Sequence, residues 1–106
     1  MPTIIEHVTY ETQERTDETL IDKFQTQINA FCLAQPGFLY RSISRNDKGI
    51  WHDIVYWEDM VAADAASQRF AETDVCKALV NVVKEGTLQM QHMQALSEAM
   101  SAPAQS

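Results

Sequence analysis

Glycine, proline and cysteine are scarce in this 106-residue chain, at three, three and two residues. With only Gly37, Gly49 and Gly86 there is no glycine-rich phosphate loop, and no Gly-x-Ser-x-Gly turn occurs, so nucleotide-binding and serine-hydrolase readings fall away. The two cysteines, Cys32 and Cys76, lie within apolar helical patterns, where a free thiol behaves as a small hydrophobe. No disulfide framework is expected. Basic residues are also few, eight against 15 acidic, for a formal charge of -7. Without a basic stripe the electrostatic term that dominates nucleic-acid affinity is missing, which argues against such a partner. No apolar run approaches the ~18 residues of a membrane span. The first residues, Met1-Pro2-Thr3-Ile4-Ile5-Glu6, have neither a basic region nor an apolar one of the kind that directs secretion. A cytoplasmic protein with no membrane partner is the expectation.

What is present is ordinary for a globular domain: 45% hydrophobic and 22% charged residues. A chain of this length buries about two thirds of its surface around one core. Residues 3–12 are rich in β-branched side chains, with Ile4, Val8 and Tyr10 on one side of a pleat. Thr16 or Asp17 caps a helix over 17–35 whose stripe is Leu20, Phe24, Ile28, Phe31 and Cys32, stopped by Pro36-Gly37. Residues 38–45 and 50–57 form a hairpin about Asn46-Asp47-Lys48-Gly49. Glu58-Asp59 opens a second helix, Thr73 or Asp74 caps a third that Gly86 closes, and 87–96 alternate as a fourth strand with Leu88, Met90 and His92 on one side. The domain is expected over 1–96, with a flexible tail over 97–106.

The order β-α-β-β-α-α-β predicts an α+β, ferredoxin-like split βαβ fold, with helices on one face of a four-stranded antiparallel sheet. The third strand then becomes informative. Trp51, Asp53, Val55 and Trp57 lie on one face and Ile50, His52, Ile54 and Tyr56 on the other, so neither face reads as polar. The helices cover one face, and a homodimer packed sheet to sheet covers the other. Burying ~600 Å² of apolar surface per side would contribute on the order of 15 kcal/mol before association costs.

Pro36-Gly37-Phe38 and Ile54-Val55-Tyr56-Trp57-Glu58-Asp59 resemble the signatures of the antibiotic-biosynthesis monooxygenase-like domains in the dimeric α+β barrel superfamily. The likeness extends over about residues 3–95, including the helix break after Phe70. Trp57 packing and Glu58 or Asp59 capping give the same motif a purely structural reading. For the heme-degrading branch the resemblance aligns His7, Phe70 and Val80 with the functional positions, which leaves no proximal iron donor. The other branch oxidises polycyclic phenols with molecular oxygen and no cofactor, using a dry pocket and a base. It implies that alternate residues of the first strand line the pocket, His7 among them.

On this reading His7 is the catalytic base and Asp53 or Tyr40 orients the substrate, with Trp51, Trp57 and Phe24 as walls and His52 and His92 as further pocket candidates. Asp53, a carboxylate among apolar neighbours, alternatively pairs with Arg41 or Arg45 across the hairpin. No metal is expected, because Glu6-His7 and His52-Asp53 each point to opposite faces and cannot give one ion two ligands. The expected function is a cofactor-independent monooxygenase of a small aromatic, quinol-like metabolite. The rival is a non-catalytic ligand-binding or stress-linked homodimer.

Overall fold

Each helix starts at a side chain that satisfies a free backbone N–H. Asp17 Oδ1 accepts from Thr19 N at 2.9 Å, Asp59 Oδ1 from Ala62 N at 2.8 Å, and Thr73 Oγ1 from Cys76 N at 3.2 Å. These caps fix the elements in a computed structural model that describes residues 2–101. They are β1 (Ile4–Tyr10), α1 (Glu18–Leu33), β2 (Phe38–Arg45), β3 (Trp51–Trp57), α2 (Met60–Ala71), α3 (Asp74–Val82) and β4 (Gln89–Gln94). All strand pairs are antiparallel, in the spatial order β2-β3-β1-β4. The α+β sheet-and-helix arrangement expected from the sequence is present. No helix among the described residues is long and apolar enough to cross a membrane.

One helix stop differs from expectation. Gly86 does not close α3, which ends at Val82. Val83 turns extended and bridges to Thr12, while Lys84 N donates to Glu11 O at 2.8 Å, so strand-like pairing takes over from the helix. Gly86, at φ 83°, instead serves the turn closed by Thr87 N and Lys84 O. Beyond β4, residues 97–101 are exposed and without regular structure, and the remainder of the expected tail lies outside the described residues.

Strand register divides the sheet into two faces, because directly paired residues point the same way. Ile4, Glu6, Val8 and Tyr10 face the helices together with Trp51, Asp53, Val55 and Trp57, and Arg41, Met90 and His92 join them from β2 and β4. Val55 and Trp57 pack there with Ala63 and Ala66 of α2, while α1 buries Ile21, Phe24, Ile28 and Cys32. The outer face carries Ile5, Ile54, Tyr56, Tyr40 and Met93, but also His7, His52, Thr9 and Ser42. It is less apolar than β3 alone suggests.

Gly37 holds the entry to β2 against the start of α2. Its φ is +80°, its carbonyl accepts from Glu58 N at 2.8 Å, and a Cβ there would stand 2.6 Å from Ala62 Cβ. Gly49 has the same backbone sign, at φ +82°, in open space. Gly37→Ala should therefore cost about 3 kcal/mol in urea unfolding and Gly49→Ala about 1 kcal/mol. Equal midpoints would show that the α2 contact adds nothing to the backbone strain.

Candidate active site

Alternation along β1 and β3 sends Glu6, Val8, Asp53 and Val55 into the space under the helices, and that space is not filled. A cavity of about 550 Å³ lies between the inner sheet face and α1, α2 and α3, within the range of small-molecule sites. Small side chains of α2, Ala66, Ser67 and Ala71, leave room along one wall. Helix α3 turns Leu79 and Val80 towards it, joined by Val83 just past its end, yet has no fully buried residue. Near the turn after α3 the lining is exposed, with Leu88 and Met90 each at 57%.

Two polar clusters stand on the inner face. In the first, Arg41 Nε and Nη2 donate to the two oxygens of Asp53 at 3.0 and 2.7 Å. Its Nη2 also donates to Gln25 Oε1 at 2.6 Å and its Nη1 to Asn29 Oδ1 at 2.7 Å. With side-chain exposures of 2% for Arg41 and 15% for Asp53, this is an enclosed and nearly saturated ion pair. Beside it, Tyr10 Oη and Gln25 Nε2 are buried without a hydrogen-bond partner among the described residues. Burial pushes the Tyr10 phenol upward, with the neighbouring Gln25 amide and the Arg41 charge opposing and the Asp53 charge adding to the shift.

The second cluster joins two strands. Glu6 on β1 faces His92 on β4, and His92 Nε2 lies 3.0 Å from Glu6 Oε1. Burial raises the Glu6 carboxyl above its ordinary value, only partly offset by the hydrogen bond and charge of His92. A carboxylate with heightened proton affinity, oriented by an imidazole at an apolar cavity, is a general-base arrangement. The thiols that also line the cavity differ in kind. Burial pushes Cys32 up to about 11 and raises Cys76, so both stay protonated, as suits packing rather than nucleophilic chemistry.

The sequence candidates separate accordingly. Asp53 and Trp57 line the cavity. His92 faces the same side and reaches it through Glu6. His7, His52 and Tyr40 do not: they point to the outer face, where His7 contacts His52 and Tyr40 packs edge-on against Tyr56. The placement of His7 in the pocket is thereby corrected. Its register puts it opposite Ile54, out of phase with Val8 and Tyr10. Trp51 is on the inner face but stacks on Tyr10 under the Arg45 guanidinium and does not line the cavity, and Phe24 is core packing in α1. The residue missed was Glu6. Its signal was present, since a charged side chain stands at the middle of the Ile4-Val8-Tyr10 face. For heme, the helices present Phe70, stacked on Phe31, and Val80 to the cavity, with no imidazole, so these positions do not fit a proximal ligand.

No protein-family model matches the sequence, and no curated protein matches it significantly. Solved structures do match. A mutant form of SnoaB, a cofactor-independent oxygenase from Streptomyces nogalater, is 16% identical with a TM-score of 0.78, covering 92% of this chain and 97% of that one. A monooxygenase from the gene ActVA-Orf6 of Streptomyces coelicolor, solved with the ligand nanaomycin D, is 18% identical with a TM-score of 0.73, covering 95% and 94%. A protein of unknown function from Nitrosomonas europaea is 14% identical with a TM-score of 0.69, covering 97% and 98%. At these identities the likeness is one of fold.

The raised Glu6 carboxyl has a stability consequence with a definite sign. Its native proton affinity exceeds that of the unfolded chain, so its contribution is fully present below the unfolded value and is lost as pH rises through the native one. The stability of the native sequence relative to Glu6→Gln should therefore fall as pH is raised from about 4 to about 7. Urea unfolding at a series of pH values measures this, and a difference that rises with pH would contradict the burial argument.

Proposed function

We propose that this chain, which has the antibiotic-biosynthesis monooxygenase-like fold of the dimeric α+β barrel superfamily, is a monooxygenase that oxidises a small aromatic, quinol-like metabolite without a cofactor. The observation that carries this reading is the Glu6–His92 pair beside a largely apolar cavity. A phenol or hydroquinol bound there gives its hydroxyl proton to the Glu6 carboxylate, and His92 holds that carboxylate by donating from Nε2. The resulting anion is electron-rich enough to react with molecular oxygen. One oxygen atom enters the ring carbon, and the other leaves as water with two hydrogens from the substrate, as a hydroquinol becomes a hydroxyquinone. The substrate supplies every electron, and the protein supplies the base, orientation and exclusion of water.

Other cavity residues take supporting parts. Trp57 and Val55 give the flat ring an apolar wall. Asp53, with both oxygens engaged by Arg41, holds a polar wall in place. On this reading a second copy of the chain covers the outer face, where Tyr40 is 55% and Met93 38% exposed.

Oxygen uptake with a panel of polycyclic phenols and hydroquinols tests the proposal. Turnover should fall at least ~100-fold in Glu6→Gln, the usual scale for loss of a general base, and stay within about twofold in Tyr40→Phe. Saturable binding of the same compounds without any oxygen consumption would replace the enzyme with a ligand-binding module.

A further inference from the structure

The outer face holds a polar network that the cavity chemistry does not use, and it begins in the hairpin turn. Asn46 Oδ1 accepts from Lys48 N at 2.9 Å and from Ile50 N at 3.0 Å, which leaves the amide nitrogen to face His52 Nε2 at 3.4 Å. An amide nitrogen only donates, so His52 Nε2 accepts and the ring proton sits on Nδ1, which donates to His7 Nε2 at 3.0 Å. His7 in turn carries its proton on Nδ1. The two rings stack with centroids 5.3 Å apart. In this neutral pair both ring acceptors are occupied, and a further proton enters only by breaking one of the two bonds.

The pair stands on the two central strands, β1 and β3, half-buried in the single chain. Tyr40 and Tyr56 are the only other titratable side chains at the outward strand positions, and the helices pack on the opposite side of the sheet. Charged residues stand beyond the strand ends, Glu11, Asp47, Lys48 and Glu58 among them. A chain with a formal charge of -7 thus has a sheet face whose strand positions carry no fixed charge. A second copy is the partner that this face meets with least repulsion.

We propose that His7 and His52 make the sheet-to-sheet association of two copies pH-sensitive, holding the dimer together while both rings are neutral and opening it when the pair takes up a proton. The inference rests on the reading that a second copy covers the outer face, and not on the oxygenase chemistry, which belongs to the inner one. In an isologous dimer the middle of one face meets the middle of its copy, so the pairs of both chains leave water together. Protonation there breaks a link of the Asn46–His52–His7 network and sets two like charges, one from each chain, where no strand position offers a carboxylate. A free chain leaves the same charge to water. The linkage therefore has a fixed sign: association is strongest above the imidazole range, ordinarily centred near about 6.5, and weakens as pH falls through it. The overall charge works in the opposite direction, since acidification reduces the -7 and with it the repulsion between copies.

Sedimentation equilibrium of the full-length, tag-free chain at constant ionic strength tests it. The expected result is a dimer at about pH 8 whose dissociation constant rises at least about tenfold by about pH 5.5, with a limiting slope of up to about two protons per dimer. In the His7→Gln/His52→Gln double variant the constant should stay level or fall over the same range, as the net charge alone dictates. A native constant that is flat or falls on acidification would overturn the proposal, as would a double variant that keeps the native rise. A readout without variants guards against misfolding. Because proton and partner binding are reciprocal, raising the concentration of the native chain should lower the titration midpoints of two histidine ring resonances and leave that of His92 in place. Midpoints that ignore concentration would count against the switch. A single chain at every pH would remove the covered face itself, and this inference with it.

Discussion

Successive side chains of a β-strand point to opposite faces, and that alternation decides which chemically capable residues of this protein can meet. On β1 the phase set by Ile4, Val8 and Tyr10 carries Glu6 inward and His7 outward. On β3 the phase of Val55 and Trp57 carries Asp53 inward and His52 outward. One hydrophobic pattern thus sorts two carboxylates to the cavity and two imidazoles to the other face. A one-residue slip in either strand would exchange the sets and bring the apolar residues into solvent, so burial of Val55 and Trp57 under α2 fixes the chemistry as well as the fold.

Much of this arrangement is legible before folding. The caps Asp17, Asp59 and Thr73, the Asn46–Gly49 turn and the strand limits follow from local residue chemistry, which operates within a few positions of the chain. The Arg41–Asp53 pair is legible too, since a hairpin brings its strands together and a buried carboxylate needs a partner. Glu6–His92 is less so, because its members lie at opposite ends of the chain and meet only when β4 takes its place beside β1. The resemblance implies His7 in the cavity, but its alignment does not fix the strand phase. The pleat of Ile4, Val8 and Tyr10 contained the opposite answer. The fate of Gly86 depended on Thr12 and Glu11, distant residues that no reading of α3 alone contains.

The inner face also shows how ionisable groups can be distributed between holding a site and acting in it. Arg41 and Asp53 neutralise each other, and the guanidinium's further bonds to Gln25 and Asn29 tie β2 to α1. Removing one partner would strand the other in a low-dielectric setting, so each depends on the other to stay buried. Glu6 is under the opposite pressure. Burial disfavours its charge, and a single imidazole compensates only in part. A group whose two protonation states are brought closer in free energy is the one able to exchange a proton with a bound molecule, whereas a saturated ion pair resists it. Both clusters adjoin the same apolar walls, and their unequal hydrogen bonding is what favours Glu6 over Asp53 as the base in the proposed reaction.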